Sequence, residues 1–129
     1  MMDVMIELKK AGELYRSGDL KASLSVVQAT WDELQGSKPE IPNAYLLVEY
    51  AVAILLKLNE LDRALTWANL APDFAEKRHD LGEAEFLLGK VYLARGDLIE
   101  SKRCFITANA KSHGKIFDGE RSEYIQLIK

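Results

Sequence analysis

The chain has few of the residues that interrupt or cross-link a fold: one cysteine, three prolines and eight glycines. A single cysteine excludes an internal disulfide bond and suits a reducing compartment. The scarcity of proline and glycine favours helices. Hydrophobic residues make up 48% and charged residues 29% of the sequence, which is the composition of a globular protein rather than of a disordered one. Its 129 residues fit one domain with a sizeable core.

The sequence also has no hydrophobic run long enough to span a membrane. The most apolar stretch, residues 44–58, contains Glu49 and Lys57 and is too short to cross a bilayer of about 30 Å. We interpret it as a buried core helix. Residues 1–10 include the acids Asp3 and Glu7 and have no apolar stretch of the length of a secretory signal. We therefore expect a cytoplasmic protein.

An excess of positive charge is absent as well. The formal net charge is -3, so the long-range field of the protein repels the phosphate backbones of nucleic acids and anionic membranes. We expect neither a nucleic acid nor a membrane as the partner.

Motifs that carry catalysis are missing too. The sequence contains no glycine-rich phosphate loop, nucleophile elbow or paired-cysteine motif. His79 and Glu83 are four residues apart on a predicted helix, but a zinc site needs a third and usually a fourth ligand. We interpret Cys104 as a half-buried structural residue and His113 as a turn residue. The expectation is a non-enzymatic protein with no catalytic residue, metal or cofactor.

Paired turn residues recur about every 40 residues and mark the predicted breaks between helices. They are Gly18-Asp19, Asn59-Glu60 and Gly96-Asp97. A glycine or asparagine at the first position can take the left-handed conformation that ends one helix, and an aspartate at the second position caps the next. Large and small residues mix at helical spacing around each pair, as in two helices that pack closely. The pattern predicts three copies of one antiparallel helix hairpin.

The third copy carries a family resemblance. Its residues at the spaced positions are Leu88, Gly89, Tyr92, Gly96, Asp97, Phe105 and Ala108. This set resembles the signature of the tetratricopeptide repeat, and the resemblance covers about residues 5–111. It implies an all-α fold, a right-handed superhelix of helix pairs whose concave face binds a protein or peptide. We expect Gly89 to be the least replaceable glycine, because a larger side chain there would push the last hairpin apart.

We predict a single domain, residues 1–129, of three antiparallel hairpins and a C-terminal capping segment. The hairpins span about residues 3–35, 43–71 and 75–111, and the tail spans residues 112–129. The predicted helices are residues 3–17, 20–35, 43–58, 61–71, 75–95 and 98–111. The tail is rich in apolar residues, and it either covers the exposed face of the last hairpin or serves as a functional arm.

The family geometry implies that the first helix of each hairpin lines the concave groove. The partner-binding residues implied there are Met5, Leu8, Tyr15, Leu46, Glu49, Leu56, Phe86, Lys90 and Leu93, together with Gly12, Ala53 and Glu83. For Leu8, Leu46 and Ala53, packing between hairpins is an equal alternative.

Phe86 and Leu93 are seven residues apart and so share one face of the predicted helix 75–95. Either the preceding repeat, the tail or a partner protein covers this face. If a partner covers it, Phe86→Ala and Tyr15→Ala weaken partner capture with little change in folding stability.

Two functions fit the implied groove and the acidic balance. The first is a cytoplasmic adaptor or chaperone whose groove takes an apolar peptide or helix. The alternative is an immunity-type inhibitor that covers the active site of a cognate bacterial toxin, with acidic surface residues that complement a basic nuclease. The tail resembles C-terminal segments of small bacterial tetratricopeptide proteins found beside toxin genes.

Overall fold

Helices joined by short connections make up residues 3–129, the part of the chain that the structure, a computed structural model, describes. The α-helices are α1 (Val4–Arg16), α2 (Leu20–Glu33), α3 (Ala44–Lys57), α4 (Leu61–Ala68), α5 (Ala75–Arg78), α6 (Glu83–Arg95), α7 (Leu98–Ser112) and α8 (Ser122–Gln126). Short 3-10 turns lie at Lys38–Glu40, Ala71–Phe74 and Lys115–Phe117. No strand occurs among residues 3–129, which confirms the predicted all-α fold. The helices form two compact units that divide after Trp67.

In the first unit, α1 and α2 pack against each other, and both pack against α3. Capping aspartates fix where the first two helices begin. The Asp3 carboxylate accepts the N–H of Met5 at 2.9 Å, and the Asp19 carboxylate accepts the N–H of Ala22 at 3.2 Å. Each bond satisfies a backbone donor that the first helical turn leaves free.

The core helix of this unit is α3, as its apolar sequence predicts. Its buried residues are Ala44, Tyr45, Leu47, Val48, Ala51, Val52, Ile54 and Leu55. Trp31 of α2 and Trp67 of α4 pack edge to face nearby in the chain's first unit, with 5.3 Å between ring centroids. Within the described part of the chain, no helix is both long and apolar enough to cross a bilayer.

One type of turn joins α1 to α2, α3 to α4 and α6 to α7. Its first residue is Gly18, Asn59 or Gly96, with φ of 88°, 58° and 82°. In every case this residue donates its N–H to the carbonyl three residues earlier, and the next residue donates to the carbonyl five residues earlier. These two bonds form the Schellman motif, which requires a left-handed residue. The predicted helix breaks are therefore confirmed at all three positions.

Matching hydrogen bonds also join the two helices of the first and last hairpins. The buried Ser23 hydroxyl donates to the Ala11 carbonyl at 2.7 Å, and the buried Ser101 hydroxyl donates to the Gly89 carbonyl at 2.8 Å. Both serines stand at the same position after the turn. The middle copy has Ala64 at this position, and Ala64 is fully buried but has no hydroxyl. The first and third copies therefore share a side-chain bond as well as a turn.

The prediction of one helix over residues 75–95 is wrong. The structure divides this segment into α5 and α6, because His79 ends α5 with a left-handed φ of 53°. His79 and Glu83 consequently do not lie on one helix. The predicted helix 61–71 also ends earlier than expected, and a 3-10 turn that contains Pro72 follows it.

The break between α5 and α6 is stabilised by Asp80. Its carboxylate accepts the backbone N–H groups of Gly82 at 2.6 Å, Glu83 at 2.8 Å and Ala84 at 3.0 Å. Three charge-assisted bonds at one helix start make a strong cap. Gly82 has a φ of 110°, which an α-helix does not accommodate.

In the second unit, α6 and α7 form an antiparallel hairpin whose closest approaches occur at two glycines. A Cβ on Gly89 would lie 2.5 Å from ring carbons of Phe105, and a Cβ on Gly82 would lie 2.8 Å from the carbonyl oxygen of Ala108. The Phe105 ring is fully buried, so it has little room to move away from a side chain at position 89, and the positive φ of Gly82 adds strain to any side chain there. Gly82 is therefore constrained as tightly as Gly89, the glycine predicted to be the least replaceable.

Candidate functional site

In the first unit, α3 is buried at every position except one stripe. The partly or fully exposed residues within it are Leu46, Glu49, Tyr50, Ala53, Leu56 and Lys57, and we call them the α3 stripe. They recur at helical spacing and so share one face of the helix. Four of them, Leu46, Glu49, Ala53 and Leu56, are residues that the family resemblance places in the groove, and Ala53 is exposed at the middle of the stripe.

The α3 stripe meets α1 at two tyrosines and two cations. The Nζ of Lys57 lies 5.6 Å from the centroid of the Tyr15 ring, within the range of a cation-π contact. A Cβ on Gly12 would lie 3.3 Å from the Arg16 guanidinium and 3.8 Å from the Tyr50 hydroxyl. Gly12 thus lets the Arg16 side chain lie against α1. We call Gly12, Tyr15, Arg16, Tyr50 and Lys57 the tyrosine–cation corner.

The tyrosine–cation corner and the α3 stripe offer complementary chemistry. Leu46, Ala53 and Leu56 of the stripe present aliphatic side chains that are partly or fully exposed. The corner, which shares Tyr50 and Lys57 with the stripe, presents half-buried aromatic rings with exposed positive groups. Such a surface can contact apolar side chains of a peptide through its aliphatic and aromatic groups and can bind carboxylates through its cations.

Two other predicted groove residues of α1 have different environments. Met5 is 49% exposed, whereas Leu8 is only 2% exposed and belongs to the core. The structure therefore favours the packing alternative for Leu8. For Leu8, packing was already an equal alternative in the sequence, whereas for Met5 it was not.

In the second unit, the C-terminal tail covers the predicted groove residues of α6. Phe86 is 5% exposed, and its ring centroid lies 5.3 Å from that of Phe117 and 5.6 Å from that of Tyr124, both edge to face. Phe105 of α7 completes the aromatic cluster at 5.4 Å from Phe86. Of the three alternatives for the face that contains Phe86, the structure shows the tail.

Apolar residues of the tail and of α6 surround this cluster. The partly buried ones are Leu93, Ile116, Tyr124, Ile125, Leu127 and Ile128. The Nζ of Lys90 lies 5.0 Å above the Phe86 ring. The predicted residues Phe86, Lys90 and Leu93 therefore lie together, but the chain's own tail packs on this surface.

The tail leaves α7 through a left-handed turn. His113 has a φ of 53° and Gly114 a φ of 82°, which confirms His113 as a turn residue. The N–H of Ile116 donates to the Ser112 hydroxyl at 3.2 Å. Burial raises the pKa of the Tyr124 phenol, so this ring stays neutral where it packs on Phe86 and Phe105.

The environment of Cys104 favours a structural role over a reactive one. Cys104 is half-buried as predicted, and burial, followed by the nearby charges of Glu100 and Glu85, raises the pKa of its thiol. A raised pKa disfavours the reactive thiolate. Within residues 3–129, no three His, Cys, Asp or Glu side chains are grouped so that they could hold a metal ion.

An open groove of about 500 Å³ lies beside α2, away from the residues predicted to bind a partner. Its lining residues are Lys21, Leu24, Ser25, Gln28, Ala29, Asp32, Leu58, Glu60 and Arg63. Several of its polar groups bond one another, with Gln28 to Asp32 at 2.9 Å and Arg63 to Glu60 at 3.0 Å. The polar residues of α2 recur at helical spacing and so share the face that lines this groove. The same pattern equally predicts an ordinary solvated helix face.

Comparison of the chain with protein-family models, with curated proteins and with solved structures finds no match.

Proposed function

We propose that the chain is a non-enzymatic protein-binding module of the tetratricopeptide type, which holds a peptide or helix of a partner protein on the α3 stripe. The observation that carries the proposal is the burial pattern of α3. A helix that the fold buries on every other side keeps one stripe partly open, on which the aliphatic Leu46, Ala53 and Leu56 lie among Glu49, Tyr50 and Lys57. Apolar side chains that a core helix leaves in contact with water form a surface that a partner can cover.

The tyrosine–cation corner defines the kind of segment that fits. Aromatic rings with a polar edge are frequent anchors at protein interfaces. Arg16 and Lys57 add positive charge next to Tyr15 and Tyr50. We infer that the bound segment is amphipathic, with apolar side chains on the stripe and an acidic group at the corner.

An adaptor or chaperone role in the cytoplasm suits this surface better than toxin inhibition. An inhibitor of a basic nuclease needs a face of acidic side chains. The corner presents cations instead, so its electrostatics favour an acidic segment.

A matched pair of substitutions tests the proposal. Ala53→Arg places a long charged side chain in the middle of the α3 stripe, and Ala29→Arg places the same side chain at an exposed position of α2. Both chains are expected to melt like the wild type, because both alanines are exposed and arginine is a good helix former. Partner recovery from the native cells should fall by about tenfold or more only with Ala53→Arg. Equal recovery with both variants contradicts the proposal.

A further inference from the structure

Helix α7 exposes large apolar side chains on the side that does not pack against α6. Ile99 is 77% exposed, Leu98 53% and Ile106 49%. The opposite side of α7 is buried through Ser101, Phe105 and Ala108. Ile99 and Ile106 lie two turns apart, or about 10.5 Å along the helix, so they form one apolar stripe.

Two cations border this stripe symmetrically. At the rotation of about 100° per residue in an α-helix, Lys102 lies about 50° to one side of the isoleucines and Arg103 about 50° to the other. Both side chains are exposed. Arg103 pairs with Glu100 at 3.5 Å. Glu100 lies on the side of Arg103 that faces away from the isoleucines. We call Leu98, Ile99, Lys102, Arg103 and Ile106 the α7 face.

Association of two copies through the α7 face would bring like charges together. An antiparallel pairing that stacks Ile99 of one copy on Ile106 of the other places each cation opposite its own equivalent, Lys102 against Lys102 and Arg103 against Arg103. A parallel pairing places Lys102 of one copy against Arg103 of the other. Like charges that meet at an interface cost free energy, so a second copy is a poor occupant.

We propose that the α7 face docks an acidic amphipathic helix of a partner protein, which has apolar residues two turns apart and glutamates or aspartates on both sides of them. The apolar side chains would cover Ile99 and Ile106, and the flanking carboxylates would pair with Lys102 and Arg103. The positive rim is local, since the whole chain carries a net charge of -3. This surface is separate from the proposed function, because none of the predicted groove residues lies on α7.

A lipid surface fits the same residues less well. Interfacial helices present a continuous apolar face with several cations, whereas α7 offers three large apolar side chains and keeps its other side against α6. Asp97, the cap of α7, and Glu100 add negative charge at the end where Leu98 and Ile99 lie, so the acidic residues of the docked helix would lie beside Lys102 and Arg103 and not at that end.

The test titrates the full chain, labelled with nitrogen-15, with two synthetic helical peptides. One has leucines two turns apart flanked by glutamates, and the other has lysine in place of each glutamate. We expect only the acidic peptide to shift the amide signals of residues 98–110. Its affinity should fall by about tenfold or more in Ile99→Ser/Ile106→Ser and stay unchanged in the control Ile6→Ser, which removes another exposed isoleucine.

Charge reversal gives a readout that misfolding cannot imitate. Lys102→Glu/Arg103→Glu should lose the acidic peptide and gain the basic one, with an unchanged melting curve. Four outcomes would overturn the proposal: equal affinity for both peptides, shifts confined to other helices, a dimer that forms through α7 as concentration rises, or shifts of α7 with anionic lipid vesicles and not with the acidic peptide.

Discussion

The Ser101 hydroxyl donates a 2.8 Å hydrogen bond to the Gly89 carbonyl across the last hairpin, and the same bond joins Ser23 to Ala11 in the first. Ser101→Ala should therefore lower the free energy of unfolding by about 1 kcal/mol, the usual net value of such a bond. The buried alanine at the matching position of the middle copy, Ala64, shows that the smaller side chain fits there. Urea denaturation measures the loss. Ser25→Ala, which removes only an exposed bond within α2, is the control, and an equal loss in both would contradict the assignment.

Glycine substitutions should rank by what their new Cβ meets. Gly89→Ala presses on the Phe105 ring and should cost about 1 to 3 kcal/mol. Gly82→Ala should cost at least as much, because it meets the Ala108 backbone and has a positive φ. Gly12→Ala should cost least, since it meets only the flexible end of Arg16. Thermal melting of the three variants gives the order, and a Gly12 variant less stable than the other two would contradict it.

The Asp80 cap should make stability depend on pH. Burial opposes ionisation of this carboxyl, but its hydrogen bonds with Glu83 and with the backbone N–H groups of Gly82 and Ala84 outweigh burial, so its pKa lies below the ordinary 3.8. A lowered carboxyl pKa contributes stability above the unfolded value, and that stability is lost as pH falls through the folded value.

The measurement is the urea midpoint of wild type and Asp80→Asn between neutral and strongly acidic pH. Wild type should be more stable than Asp80→Asn at neutral pH, and the difference should shrink below about pH 3.8. Asp73→Asn, at an exposed residue of the preceding 3-10 turn, is the control. A difference that stays constant with pH would show that the Asp80 charge does not act as the cap.

Phe86 and Tyr15 should respond in opposite ways to truncation. The sequence predicts an unchanged stability for Phe86→Ala only if a partner protein covers Phe86, and the structure shows that the tail buries it instead. Phe86→Ala should destabilise the protein by about 3 kcal/mol or more. Tyr15→Ala, at a partly exposed residue, should mainly weaken partner binding. Melting curves and partner recovery measured together separate the two effects, and equal melting of both variants would contradict the distinction.

Removal of the tail should expose the aromatic cluster. A chain that ends at Lys115 lacks Phe117 and Tyr124, which cover Phe86 and Phe105. We expect it to melt earlier or to aggregate, because an apolar face becomes exposed to water. Gln126→Ala, at an exposed residue of α8, should leave melting unchanged. A truncated chain of unchanged stability that has lost its partner would show that the tail is a binding arm.

The helix breaks at Gly18, Asn59 and Gly96 could be predicted because each depends on local backbone chemistry. The break at His79 could not be predicted in the same way. A histidine in the left-handed conformation has no distinctive sequence signal, and Asp80 acts as a cap only because Gly82 turns the chain toward it.

The face of α3 could also be predicted, since helical spacing alone decides which residues share it. The place of the tail depends on long-range packing instead. Its apolar residues indicated that it covers a surface, but only the structure shows that the surface contains Phe86. For the same reason the two alternatives for Leu8, packing and groove lining, could not be separated without its burial, and Leu8 is only 2% exposed.

The most direct test of the account is a photo-crosslink from the α3 stripe. A benzophenone amino acid replaces Ala53 in one full-length chain and Ala29 in another, and both are irradiated in the native cells. We predict that the chain with the label at position 53 forms one dominant crosslink to a partner protein, that Tyr15→Ala abolishes it, and that the label at position 29 forms none. A crosslink to that partner from position 29 but not from position 53 would contradict binding by the α3 stripe.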